Sequence, residues 1–231
     1  MSWPYDFDTR GVRALPHRLR LRKLLARMRQ YDFSGGSYAD VGCGDGYVTA
    51  QVMRVTGAQR CDGLDYDPAL LESGGKTFRE ISFVPCNLNC TLNGSNRYDF
   101  VTCFETLEHV VDLPMALRNL LHLTKPGGRL ILTVPIEVGF VGTAKFLAKT
   151  VLWRDRLTEA FPLRPGMHRD YLKALLSGEG ISRFRRDGNA LGYWPGHWGF
   201  DYRELDHLFS QHGVRFTAET FLTTRYFEAR P

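Results

Sequence analysis

Long apolar runs are scarce in this chain of 231 residues. The longest, Leu130 to Ala144, is interrupted by Pro135 and Glu137 and is too short to cross a bilayer, so no integral membrane segment is expected. No signal peptide is visible either. Cysteine is sparse and odd in number: Cys43, Cys61, Cys86, Cys90 and Cys103 are scattered along the sequence. That suits a reducing compartment better than a disulfide framework, so a cytoplasmic location is expected. Cys86 and Cys90 have a loosely metal-like spacing, yet no second Cys/His pair accompanies them, and ordinary thiols are the expectation. Repeats and low-complexity tracts are absent. What remains is the length of one domain with room for an inserted lobe.

Charge is present but unevenly spread. Residues 1–34 carry +5, residues 35–134 carry −3 and the remainder carries +3. Basic flanks around an acidic centre suit an anionic small-molecule acceptor, RNA or a membrane surface, and a solvated basic face explains the same counts. Within the first flank, Leu21, Leu24, Leu25 and Met28 recur at helical spacing among Arg20, Arg22, Lys23, Arg27 and Arg29, which predicts an amphipathic helix packed on the domain.

From Gly35-Gly36 onward, strand-like and helix-like segments alternate. Strands are expected near 37–41, 61–65, 81–86, 98–104 and 128–134, with helices near 46–55, 68–74 and 114–123, a pattern that implies a parallel sheet covered on both faces. After Pro135 the alternation stops for about 60 residues, longer than an ordinary connection. Two helical runs lie there, Phe140–Trp153 and His168–Leu176. In the first, Phe140, Val141, Ala144, Leu147, Ala148, Val151 and Leu152 share an apolar face that suits packing as a lid, and an interfacial helix on a membrane is the rival reading. A last helix, Tyr202–His212, and strands near 214–220 and 223–229 follow.

Asp40-Val41-Gly42-Cys43-Gly44-Asp45-Gly46 lies between the first expected strand and helix. Glycines at alternate positions let the backbone pass close beneath a ligand. Asp65 ends the second strand about 20 residues later, the distance at which Rossmann-type folds set a carboxylate against ribose hydroxyls. Asp67-Pro68 is the natural cap of the next helix, which leaves Asp65 for a ligand. Asp45 fits ordinary turn chemistry as well as a ligand. The dinucleotide fingerprint wants a third glycine where Tyr47 stands, which speaks against a nicotinamide or flavin.

Five ordered blocks, spanning roughly residues 37 to 134, resemble the class I S-adenosylmethionine-dependent methyltransferases: the Asp40–Gly46 turn, Leu64-Asp65-Tyr66-Asp67, Phe83–Leu88, Tyr98–Glu105 and Leu123–Leu132 with its Lys-Pro-Gly-Gly turn. The resemblance implies a Rossmann-like, doubly wound α/β fold. Its sheet would have seven mostly parallel strands with an antiparallel last strand, and a helical insertion would follow the fifth strand. It divides the chain into a basic N-terminal helical segment, 1–34, and a methyltransferase domain, 35–231, with an insertion or lid at about 137–200. It implies S-adenosyl-L-methionine as cofactor, held by Asp40, Gly42, Gly44, Gly46, Asp65, Tyr66, Asn87, Leu88 and Phe104. Asn87 stands where the family usually has an Asp directed at the adenine amino group.

On the acceptor side, Glu105-Thr106-Leu107-Glu108-His109 follows the fourth strand at the end where α/β folds bind ligands. His109 is the candidate base and Glu105 a second catalytic candidate. The motif resembles that of small-molecule O-methyltransferases of the ubiquinone pathway and of small-RNA 2′-O-methyltransferases. Similar enzymes hold a divalent cation at this motif, so Glu105, Glu108, His109 and His197 would be the ligands of Mg²⁺ or Mn²⁺, although no metal is expected, since neither a third carboxylate nor a further His completes the cage. Tyr193, His197 and Trp198, in an aromatic cluster before the last helix, are candidate substrate contacts, and an aromatic plug of the core explains them equally. The expected activity is methyl transfer to a hydroxyl of a small molecule. RNA 2′-O-methylation and a non-catalytic module that binds a membrane or partner are the alternatives.

Overall fold

The computed structural model describes residues 15–92, 98–152, 167–184, 189–193 and 199–231. In chain order its helices are α1 (Leu15–Met28), α2 (Tyr47–Thr56), α3 (Pro68–Thr77), α4 (Leu113–Leu123), α5 (Gly139–Leu152), α6 (Met167–Ser177) and α7 (Arg203–Gln211). The strands are β1 (Tyr38–Val41), β2 (Cys61–Asp65), β3 (Ile81–Pro85), β4 (Tyr98–Phe104), β5 (Thr124–Pro135), β6 (Arg215–Phe221) and β7 (Thr224–Arg230). They form one seven-stranded sheet in the order β3-β2-β1-β4-β5-β7-β6. β1 to β5 pair in parallel, while β7 runs antiparallel to both β5 and β6.

Local chemistry accounts for the element boundaries. Asp67 caps α3 by accepting from the N–H groups of Ala69 and Leu70, with Pro68 in the first turn, as the sequence predicts. Asp112 does the same for α4 through the Met115 N–H at 2.9 Å. Alternation along β5 feeds two cores. Leu130 and Leu132 face α4 and α7, with Leu117, Leu120, Leu205 and Phe209 in the same cluster, whereas Ile131 joins Leu24, Met28, Val52 and Met53 under α1 and α2. The burial of Leu24 and Met28 is the face that α1's spacing predicts.

The stretch after β5 builds a third, smaller core. Val138, Phe146, Tyr171, Ala174, Leu175, Ile181 and Phe184 pack together across α5, α6 and a 3₁₀ turn, Ile181–Phe184. α5 does not use the face the sequence suggests. Phe140 and Leu147 are 84% and 49% exposed, while Thr143 and Phe146 are buried. Two features set this rotation. A Cβ on Gly142 would lie 2.2 Å from the Glu137 carbonyl oxygen, so that side of α5 sits hard against the chain that precedes it. Lys145, next to it on the inner side, forms an ion pair with the buried Glu137.

Strand order places the site. Successive connections run outward from β1 through β2 to β3, then return to β4 on the other side of β1. A crevice opens outside the carboxyl ends of β1 and β4 at such a reversal, and ligands bind there in open α/β sheets.

Candidate functional site

The glycine turn leaves β1 into that crevice. Gly42, Gly44 and Gly46 have φ of +79°, +57° and +81°, a left-handed run that side chains resist. Gly42 is also pressed from above, since a Cβ there would come within 2.1 Å of Thr106 Oγ1. The turn therefore touches the segment that follows β4, and Glu105–His109 lies alongside it.

Asp65 joins the turn to the end of β2. Its Oδ2 accepts from the Gly44 N–H at 2.8 Å and its Oδ1 from the Asp67 N–H at 3.0 Å. Burial raises its pKa, opposed by these backbone donors. Each oxygen retains acceptor capacity beyond one bond, which is what a pair of ribose hydroxyls requires. Asp40 lies deeper. Its carboxylate is 3% exposed and accepts from the Thr49 hydroxyl and, at 2.6 Å, from the Thr102 hydroxyl. Desolvation pushes its pKa up to about 6. Asp45 accepts from the Tyr47 N–H at 3.1 Å, the turn chemistry its place suggests.

Beyond Asp65, Tyr66 and the end of β3 form a slot. Tyr193 lies in it, its ring stacked on Tyr66 with centroids 3.8 Å apart and planes 9° from parallel. Its hydroxyl accepts from the Leu88 N–H at 2.9 Å. The structure thus sets Tyr193, a candidate substrate contact, against Tyr66 and Leu88, two of the residues expected to hold cofactor. Asn87 turns its amide Nδ2 to the Leu191 carbonyl at 2.9 Å and its Oδ1 to the Asn89 N–H at 2.9 Å, so its side chain is engaged in holding a turn. Phe104, half-buried, packs on the α1/α2 core. His197 and Trp198 lie outside the described residues.

On the far side of Thr106, Glu105 takes φ +49°, rare for a residue with a side chain, and pairs with Arg20 of α1. Burial raises its pKa against the pull of Arg20 and Lys145. Glu108 is 3% exposed, and burial together with the Glu105 charge holds its carboxyl well above the usual range. Its Oε1 is 3.9 Å from His109 Nε2, on the short helical turn Leu107–His109. Among the described residues, no three His, Cys, Asp or Glu side chains are grouped to hold a metal ion. No helix among them is long and apolar enough to cross a membrane.

Several participants escape a sequence reading. Arg20 reaches Glu105 across 85 positions, and Thr49 and Thr102 meet only around Asp40. Asn89 is closer to legible, since Asn87-x-Asn89 after a strand is a turn signal.

Comparison with known proteins agrees with this geometry. A family model described as a methyltransferase domain matches residues 13–187. A ubiquinone biosynthesis O-methyltransferase from Xanthomonas oryzae is 30% identical over 179 residues, which cover 74% of this chain and 69% of that protein. Among solved structures, S-adenosylmethionine-dependent methyltransferases from Mesorhizobium loti and Aquifex aeolicus share the fold. Both are 14% identical, with TM-scores of 0.59 and 0.58, and they cover 90% and 93% of this chain and 96% and 92% of their own.

Proposed function

This chain belongs to the S-adenosylmethionine-dependent methyltransferase family, and we propose that its acceptor is a hydroxyl group on a small molecule, with His109 as the base. Its cofactor is S-adenosyl-L-methionine, and the residues present fit that molecule. The left-handed glycine turn leads from β1 into the crevice, Asp65 offers carboxylate oxygens at the Rossmann spacing after it, and Tyr66 with the Leu88 N–H, both engaged by Tyr193 in this structure, are a face and a donor suited to a flat base. When bound, the cofactor supplies an electrophilic methyl carbon on a sulfonium, so the acceptor oxygen must approach in line with that bond.

One observation carries the acceptor side. Thr106 abuts Gly42, which brings the Glu105–His109 segment against the cofactor turn. The His109 side chain keeps 23% of its surface exposed, which supports a base that an acceptor can reach. A proton taken up by His109 arrives 3.9 Å from the Glu108 carboxyl, whose ionisation it then favours, so the pair shares the charge. Arg20, paired with Glu105, favours that carboxylate's ionised form and offsets its charge beside Glu108. The Xanthomonas oryzae relative is a ubiquinone biosynthesis O-methyltransferase, which supports a hydroxyl acceptor on a small molecule.

The test is a screen of phenolic and other hydroxyl acceptors for methylated product by mass spectrometry, with two variants alongside. Asp65→Ala is expected to weaken S-adenosylhomocysteine binding by about a hundredfold, the range for a lost charge-assisted hydrogen bond. His109→Ala is expected to bind that ligand normally and to turn over at least about a hundredfold more slowly, as loss of a general base does. Full turnover by His109→Ala on the identified acceptor would remove the base assignment.

A further inference from the structure

Tyr193 does what a ligand would do. It is only 4% exposed, although the turn that carries it, residues 189–193, lies at the surface, with Leu191 48% exposed. The turn is held at its margins by polar bonds. Leu191 O accepts from Asn87 Nδ2 at 2.9 Å and Asn89 Nδ2 at 3.3 Å, and Gly192 O accepts from the Val111 N–H at 2.9 Å. Asn189 closes it from within, its Oδ1 accepting from the N–H groups of Leu191 and Tyr193 at 2.9 and 3.0 Å. From this clip a single aromatic ring enters the slot beside Asp65.

The chemistry of that ring resembles that of a purine. A phenol offers Tyr66 a flat π face and offers the Leu88 N–H an acceptor at its edge, and a purine offers both, with a ring nitrogen as the acceptor. Asp65, adjacent to Tyr66 in sequence, accepts from the Gly44 N–H of the glycine turn and stands at the Rossmann position of the ribose-binding carboxylate. A nucleoside whose ribose meets Asp65 therefore carries its base onto Tyr66, where Tyr193 lies at a stacking separation of 3.8 Å. Tyr193 takes both the Tyr66 face and the Leu88 N–H, the two groups a purine would use there.

We infer that Tyr193 is a built-in mimic of the cofactor's purine ring, and that the 189–193 turn must withdraw before the nucleoside can seat. The inference rests on the cofactor reading above and gives Tyr193 a role different from acceptor contact. Withdrawal breaks the bonds to Asn87, Asn89, Leu88 and Val111 and takes the Tyr193 ring out of the edge of the first core, while the pairings of the seven-stranded sheet stay as they are. Cofactor affinity is then set by two steps, opening of the turn and binding to the open form. The measured dissociation constant is the intrinsic one divided by the open fraction.

The experiment is titration of the wild type, Tyr193→Ala and Tyr193→Phe with S-adenosylhomocysteine by calorimetry, paired with stopped-flow tryptophan fluorescence. Tyr193→Ala empties the slot and is expected to bind about tenfold more tightly than wild type, as removal of a competing closed state does. Tyr193→Phe keeps the ring, loses the bond to Leu88 and should fall between. In wild type the observed association rate should level off with rising ligand as opening becomes limiting, and in Tyr193→Ala it should climb linearly. Weaker binding by Tyr193→Ala, or equal affinity and linear rates in wild type, overturns the mimic and leaves the cofactor reading standing. Binding by none of the three overturns the cofactor reading, and the mimic with it. If Tyr193→Ala does not fold, Tyr193→Phe and the wild-type rate curve decide between these outcomes.

Discussion

Asp40 shows how a single residue in the cofactor turn carries a stability cost. Its carboxylate, on β1, is buried and bonded to two hydroxyls, and its pKa rises to about 6 from the usual 3.8. A raised carboxyl pKa in the folded chain means that the fold binds the proton more tightly than the unfolded chain does. The associated stability is complete below about pH 4 and is lost as pH climbs through about 6, where the fold must hold a buried charge at a cost of roughly 3 kcal/mol. Asp40→Asn removes that titration and keeps a group able to bond Thr49 and Thr102. Urea unfolding at pH 4.5 and pH 7 should show the wild type losing about 2 kcal/mol more than the variant between the two. Equal losses would show that Asp40 is not the group that titrates. Asp40 stands out in the sequence as the acid before a glycine turn, but Thr49 and Thr102 do not, because nothing local ties a hydroxyl 9 or 62 positions away to that carboxylate.

At the scale of elements, caps and strand ends are local chemistry and α5 is not. Its apolar positions are readable, yet the orientation follows Gly142 against Glu137 and the pairing of Lys145 with the buried Glu137 carboxylate. Lys145→Ala leaves that carboxylate without this cation, which costs several kcal/mol for a fully buried pair and about 2 kcal/mol here, where Lys145 keeps 18% of its side chain exposed. The loss should be local. Amide hydrogen exchange should quicken across α5 and α6, which share the third core, while the strands keep their protection. Unchanged exchange in both helices would mean that Phe146 and its apolar neighbours hold the unit without the ion pair.

Across the whole molecule, α1 joins distant parts. Leu24 and Met28 enter the core that contains Tyr38 and Tyr226, Arg20 reaches Glu105, and Arg27 pairs with Glu219 on β6. A chain begun after Met28 loses two buried apolar side chains, worth together about 3–5 kcal/mol, and leaves the Glu105 carboxylate without Arg20. Such a truncation should unfold at clearly lower urea than the full chain. It should also bind S-adenosylhomocysteine more weakly, because Glu105 adjoins Thr106, which lies against the glycine turn. An unchanged midpoint would make α1 an appendage and not a wall of the core.

The sequence by itself determined the order of strands and helices, the caps, the glycine turn and the carboxylate that follows it. Each of these rests on residues within about one turn of a helix or on the Rossmann spacing. It also determined the family, through blocks that occur in a fixed order. Only the tertiary structure decided which side chains meet: Arg20 with Glu105, Asp40 with its two hydroxyls, Lys145 with Glu137, and Tyr193 with Tyr66 and Leu88. Tyr193 and Tyr66 are 127 positions apart by their numbers, and no local pattern links them. The physical reason is that local structure is set by backbone conformation and capping between near neighbours. A stacked ring or a buried ion pair forms only where the packed chain brings distant groups within bonding range and removes the water between them.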